Sequence, residues 1–303
     1  MTCIRDLSEL LGKSVSGLYR VTAVKFVSRA VDSRTYLRLI LEDCTGSCCA
    51  YQQVPSSSGR RPVQGDVVAV EMIPVMRRAR ISARLQSWHY VNPAEIGNYP
   101  ALIPVSSVSP PIRAAAELFA DVVDKMQSTP LRAFVNRIFH RHWRNLISAS
   151  ASRNHHHCQP GGLIVHLADT VERARQIAVS LYADDAASIE LILCCALIHD
   201  LGKVVTHNGA AAALPIRHEV LNVHCAMPAL RALHDEWPEA ANYLARALNW
   251  FSLPPDARRS RPLPDAELVH FADIFSVWAD RSTGARPVVA NAAANCPESG
   301  AAA

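Results

Sequence analysis

No stretch of the 303-residue chain reaches the 18 or more uninterrupted apolar residues that a membrane helix needs, although half of its residues are hydrophobic. A spanning helix is therefore not expected. The start, "MTCIRDLSELLGKS", carries charge where a signal peptide would place its apolar core, so a cytoplasmic, soluble protein is the expectation. Cysteine pairing is also missing: the nine cysteines are odd in number and scattered, and the adjacent Cys194 and Cys195 lie in an apolar run, which suits reduced core thiols. Cys44, Cys48 and Cys49 form a C-x3-CC group without a second half, and no zinc site is expected there. No internal repeat is found. Histidine is nearly absent from the first half, since of 13 only His89 precedes residue 140.

Charge is distributed the opposite way. Residues 1–90 hold 13 Lys and Arg against 7 Asp and Glu, a balance of +6, and the remainder carries −2. One part is suited to meeting phosphate, the other to holding a metal.

The first 90 residues read as strands. "LYRVTAVKFV" and "TYLRLILED" are rich in β-branched and aromatic residues, and Leu37, Leu39 and Leu41 alternate with Tyr36, Arg38 and Glu42. "CCAYQQV", "GDVVAVEMI" and "RARISARLQSW" supply three more. Five strands of this length predict an OB-like barrel. In the last strand Arg78, Arg80, Ser82 and Arg84 share a face opposite Ala79, Ile81, Ala83 and Leu85. A small barrel of this kind binds single strands through aromatic faces and basic groups. Tyr19, Tyr36, Tyr51 and Trp88 are candidates for stacking, with Arg38, Arg78, Arg80 and Arg84 for phosphate.

Residues 91–111, "VNPAEIGNYPALIPVSSVSPP", are proline-rich and predict an extended linker. Residues 112–280 predict an all-α domain. "TPLRAFVNRIFHRHW" opens with Thr129 as N-cap and Pro130 in the first turn, and further helices are expected near 162–182, 187–200, 218–234, 237–250 and 265–280. Residues 281–303 are small and weakly patterned and predict a disordered tail. The fold class is thus multidomain, β then α.

Within the helical part, "LILCCALIHDLGKVVTH" ends an apolar run in His199 and Asp200. Unpaired polar groups there cost roughly 1 to 3 kcal/mol each, so a ligand or water is required. Asp273 between Phe271 and Phe275 raises the same question, since a carboxylate in an apolar helix needs a cation or several donors. His166 and His218 begin two other helices.

The order His166, His199-Asp200, Asp273 resembles the HD superfamily of metal-dependent phosphohydrolases. The flanks agree in "HHHCQPGGLIVH", "ALIHDLGK" and "LVHFAD". Within that superfamily the chain is most similar to the YhaM-type 3'→5' exoribonucleases, which also place an OB domain first, over roughly residues 10–280. The resemblance implies metal ligation by His166, His199, Asp200 and Asp273, with His218 matching the histidine that opens the next helix in relatives. It implies a 3'→5' exonuclease on single-stranded RNA, with DNA open, in which Asp200, Lys203 and His157 serve catalysis and His156 meets substrate phosphate. Two alternatives stay open: a weakened HD protein serving as a nucleic-acid-binding accessory factor, as in conjugative elements, and an HD hydrolase of small nucleotides.

Imidazoles and carboxylates without a thiolate favour Mn²⁺, with Fe²⁺, Mg²⁺, Co²⁺ or Ni²⁺ as alternatives. Lys203 has two readings, a phosphate contact beside the metal or a solvated lysine at a helix end. Asp169, one turn after His166, is a candidate to hold that ring. His140, His142, His207, His224 and His234 read as surface residues. One departure from the relatives stands out: no histidine occurs from Asp235 to Val269, where "RALNWFSLPPD" replaces a stretch that in them serves a second metal. Arg217 and Asn222 replace glycines that flank the third-helix histidine in relatives. One ion is favoured over two.

Overall fold

The computed structural model describes residues 2–28, 34–53, 61–104, 106, 108–152, 157–208 and 216–284. Five strands come first: β1 (Val15–Ser28), β2 (Thr35–Asp43), β3 (Gly46–Gln53), β4 (Val67–Arg77) and β5 (Arg80–Tyr90). They close into a barrel in the order β1-β2-β3-β5-β4, with β3 and β5 parallel and every other pair antiparallel. Alternation sets the core. Leu37, Leu39 and Leu41 of β2 point inward with Val21, Ala50, Val68 and Met72.

Three expectations for the barrel fail. Tyr19 is fully buried, and its hydroxyl donates to the Thr2 carbonyl at 2.7 Å, so it is core and offers no stacking face. Arg78 is not on a strand. Arg77 pairs with Arg80, and Arg78 and Ala79 form the two-residue turn between β4 and β5 with φ of 49° and 59°. Two successive left-handed residues match the right-handed twist of the flanking strands. Ser82, expected on the exposed face, is buried against β3.

The segment after β5 is packed, not a free linker. It makes two short 3-10 turns, Pro93–Glu95 and Pro100–Leu102, and Ile96, Tyr99, Leu102 and Ile103 are buried. The barrel grips it through the Cys44 N–H, which donates to the Ala101 carbonyl at 2.8 Å, and through Arg20, whose Nε donates to the Leu102 carbonyl at 2.9 Å. Arg20 is buried beneath the Trp143 ring at 4.5 Å. Barrel and helices therefore share a seam.

The helices are α1 (Pro110–Lys125), α2 (Thr129–Leu146), α3 (Gly162–Leu181), α4 (Ala186–Ile198), α5 (Lys203–Thr206), α6 (His218–Glu236), α7 (Pro238–Ser252), α8 (Pro255–Ser260) and α9 (Pro264–Gly284). The N-cap of α2 is Ser128, not Thr129, with its Oγ accepting from the Leu131 N–H at 3.4 Å. From Ile192 to Ile198, α4 is buried all round, including Cys194 and Cys195, as a helix without a polar face must be. No helix among the described residues is long and apolar enough to cross a membrane. The first residues of the expected tail, 281–284, continue α9; the rest lies outside the described residues.

Candidate metal centre

Four donors from three helices far apart in sequence meet at one point. His166 faces inward from near the start of α3. His199 and Asp200 form the turn that ends α4, and Asp273 comes from the middle of α9. One donor atom from each lies within 4.8 Å of all the others, the one such group of His, Cys, Asp or Glu among the described residues. His166 Nε2 is 3.3 Å from Asp200 Oδ2 and 3.2 Å from Asp273 Oδ1, and His199 Nε2 is 3.5 Å and 3.9 Å from the same two atoms. Donors bound at about 2.1 Å to one ion stand about 3.0 to 4.2 Å apart, so these spacings fit a shared cation.

The surroundings fix the donors. His199 Nδ1 lies 2.7 Å from the Ala196 carbonyl, which can only accept, so Nδ1 carries a proton and Nε2 is the ligand atom of the neutral ring. Nε2 is buried and has no hydrogen-bond partner. His166 Nδ1 sits 3.2 Å from Ser276 Oγ, one turn after Asp273 on α9. Sequence reasoning missed Ser276, because a serine in an apolar helix gives no sign of what it meets. Asp169 does not touch His166; it pairs with Arg173 at 3.1 Å.

The turn itself is clamped. Asn222, fully buried on α6, accepts the Gly202 N–H at 2.6 Å through Oδ1 and donates through Nδ2 to the His199 carbonyl. A Cβ at Gly202 would strike the His218 carbonyl, so "HDLGK" requires glycine there. Gly162 is required for the same reason, since its Cβ would strike the His157 carbonyl. That close approach seats the loop before α3, with the His157 ring centroid 6.1 Å from that of His166. His156 lies outside the described residues.

Lys203 is neither solvated nor at a helix C-terminus. It starts α5, is buried, and donates to Asp200 Oδ2 at 2.5 Å. His218 stands outside the four-atom group and reaches the other oxygen of Asp200, with Nε2 at 2.9 Å from Oδ1. Burial would push the Asp200 carboxyl up, but Lys203, His199, His166 and His218 hold it well below the usual carboxylate range. Asp273 is half-buried and is likewise held low, by the rings of His166 and His199. For His199, burial opposes the charged ring, and the carboxylates of Asp200 and Asp273 outweigh it, so its pKa rises above 6.5. The site prefers positive charge.

The other histidines divide. His142 is buried, with Nε2 3.1 Å from the Cys225 carbonyl, so it is not a surface residue. His207 is half-buried against the Ser150 carbonyl at 2.9 Å. His140, His224 and His234 are exposed as expected. From "RALNWFSLPPD", Phe251 packs beside His199 with ring centroids 6.0 Å apart.

On the barrel, Tyr36, Tyr51 and Arg84 line one cleft of about 970 Å³, together with Arg77. Arg77 lies 5.5 Å over the Tyr51 ring, and Arg80 is exposed at the end of the β4–β5 hairpin. Arg38 is on the same outer face of β2, opposite Tyr51, with Nε 3.1 Å from Cys49 Sγ. Trp88 is half-buried against the barrel core and donates to Gln52 Oε1 at 3.2 Å. Sequence reasoning missed Arg77, whose register with Arg80 becomes visible only once the turn is known.

No family model matches the chain, and no curated protein matches it.

Proposed function

We propose that the chain is an HD-type metal-dependent phosphohydrolase with an OB-type strand-binding barrel, acting as a 3'→5' exonuclease on single-stranded RNA. The observation that carries this reading is the convergence of His166, His199, Asp200 and Asp273 within 4.8 Å, with the buried His199 Nε2 facing the two carboxylates but making no hydrogen bond. Two neutral imidazoles and two carboxylates suit a mid-row divalent ion, Mn²⁺ first. The barrel order β1-β2-β3-β5-β4 supports the OB reading, and the cleft holding Tyr36, Tyr51 and Arg84 supports a single-stranded ligand. The preference for RNA and the polarity rest on the resemblance of "HHHCQPGGLIVH" and "ALIHDLGK" alone.

His166, His199, Asp200 and Asp273 would hold the ion, which supplies an acidified water and a polarised phosphoryl oxygen. Lys203 keeps an ammonium beside Asp200, where it offsets charge growing on phosphoryl oxygens. His157 places a further imidazole at the edge of the same site and His218 fixes the outer oxygen of Asp200. Asn222 holds the turn in register, so that both ligands on it keep their direction. With Mn²⁺ and a 5'-labelled single-stranded RNA, the full chain is expected to give a ladder shortening from the 3' end, and Asp200→Ala none. RNA left intact by the wild-type protein would sink the reading.

Phe251 beside His199 favours a second reading, in which the HD site is weakened and the chain is a strand-binding accessory factor. Strand binding by wild type and Asp200→Ala alike, with no metal bound by either, would select it.

A further inference from the structure

A separate, smaller cavity of about 130 Å³ lies on the outside of β1 and β2, lined by Lys25, Arg38, Ala23 and Ile40, with Arg38 two residues along β2 from Tyr36 of the barrel cleft. Ala23 and Ile40 also line a third cavity of about 700 Å³ at the seam between barrel and helices, where Arg20, Trp143 and Arg144 form the far wall. Trp143 is half-buried, with the guanidinium of Arg20 4.5 Å from its ring on the barrel side and that of Arg144 at 5.3 Å. Arg144 is exposed. The Glu42 carboxylate in this cavity accepts from Thr22 Oγ1 at 2.8 Å and Ser106 Oγ at 2.5 Å, and the two arginines outnumber it, leaving the wall with a positive excess.

Polar contacts join this end of α2 to the segment beside the candidate metal centre. Asn145 and Ser148, on the turn after Trp143, bond Asn208 at 3.2 Å and 3.1 Å. The neighbouring His207 ring lies 6.3 Å from that of His218, which touches Asp200.

We infer that the seam is a second strand-binding site: Trp143 offers a base its half-exposed ring, Arg144 takes the adjoining phosphate, and the pair bridges the barrel cleft to the candidate metal centre along one polar groove. This inference rests on the single-stranded nucleic acid reading given above. Stacking on an aromatic ring and pairing of phosphate with arginine are what the two side chains offer, and neither depends on base identity. A long strand engages barrel and seam together, whereas a strand of a few nucleotides occupies only one of them.

The test is binding of a fluorescent 20-nucleotide single-stranded RNA to the full chain in EDTA, where hydrolysis is silent, followed across a salt series. Arg144→Glu is expected to bind about tenfold more weakly at an unchanged denaturation midpoint, with a salt slope shallower by about 0.7 for each phosphate it no longer neutralises. Its binding of a 4-nucleotide RNA is expected to weaken no more than twofold, because the barrel holds that strand alone. Equal binding of the 20-nucleotide strand by Arg144→Glu and wild type would overturn the groove. So would an Arg144→Glu protein that releases anionic lipid vesicles while holding RNA unchanged. A wild-type protein that binds no single strand ends both this inference and the nucleic-acid reading. Binding through Arg144 without any hydrolysis in Mn²⁺ supports the groove and removes only the hydrolase.

Discussion

Asn222 holds Gly202, and through it the whole His199–Asp200 turn: one side-chain amide accepts the Gly202 N–H at 2.6 Å and donates to the His199 carbonyl. Both bonds are buried, so removing the amide strands two backbone groups that cost about 1 to 3 kcal/mol each. Asn222→Ala is expected to lose about 2 to 4 kcal/mol of stability and to weaken Mn²⁺ binding as the ligands on the turn lose direction. Chemical denaturation and calorimetric titration check the two effects separately. Asn222→Asp keeps the acceptor for Gly202 but lacks the donor, and should fall between. A variant with full Mn²⁺ affinity would show that the turn keeps its shape unaided.

Lys203 approaches Asp200 Oδ2 to 2.5 Å, the oxygen that a cation held by the four donors would share. Lys203→Met is therefore expected to bind Mn²⁺ at least as tightly as wild type while hydrolysing RNA far more slowly, about 100-fold, because only the charge facing the phosphoryl group is lost. Asp200→Ala should do worse on every count. It removes the partner of a buried ammonium and so costs about 3 to 5 kcal/mol, and it abolishes Mn²⁺ binding. Loss of Mn²⁺ affinity in Lys203→Met would instead make the lysine a support for the ligand.

Much of this was legible in the sequence, for identifiable reasons. Leu37, Leu39 and Leu41 reveal β2 because an alternation of period two has one physical solution at a half-buried sheet. His199 and Asp200 mark a candidate site because polar groups at the tip of an apolar helix need a ligand or water. Tyr19 and Trp88 are harder, since both faces of a barrel strand accept an aromatic ring and only closure decides which is inside. The packed segment from Ile96 to Ile103 reads as a linker because prolines set its backbone, whereas its burial depends on Arg20 and Cys44 in the barrel, distant in sequence. Asn222 and Ser276 carry no local signal at all; their roles exist only where α6 and α9 cross the turn and His166.

The pH response of the metal-free protein follows from His199. Its folded pKa is raised above 6.5 by Asp200 and Asp273 against burial, so the stability it contributes is complete below the unfolded value and is lost as pH rises through the folded one. Asp200 and Asp273 are depressed, so their contribution is complete above the ordinary carboxylate range and constant in this window. His142, lowered by burial, favours folding above 6.5 and is constant there too. Melting in EDTA should therefore fall as pH rises above about 6.5, and Asp273→Asn should flatten the fall. The stabilisation by Mn²⁺ should grow over the same interval, because binding displaces the His199 proton. A metal-free midpoint that rises with pH would contradict the assignment.

Tyr19 and Tyr51 sit on strands of the same barrel but should behave as opposites. Tyr51 lines the outer cleft with Arg84 and Arg77, so Tyr51→Ala is expected to weaken single-stranded RNA binding about tenfold, the effect of losing one stacked base, while leaving stability within about 1 kcal/mol. Tyr19→Ala empties a fully buried position and should cost about 3 to 5 kcal/mol. Tyr19→Phe removes only the hydroxyl that meets the Thr2 carbonyl at 2.7 Å and should cost about 1 kcal/mol with binding intact. Anisotropy titration beside urea denaturation separates the two residues. Equal binding by Tyr51→Ala would move the strand off this cleft, because its other aromatic, Tyr36, would then have to hold the bases without the ring that faces Arg77.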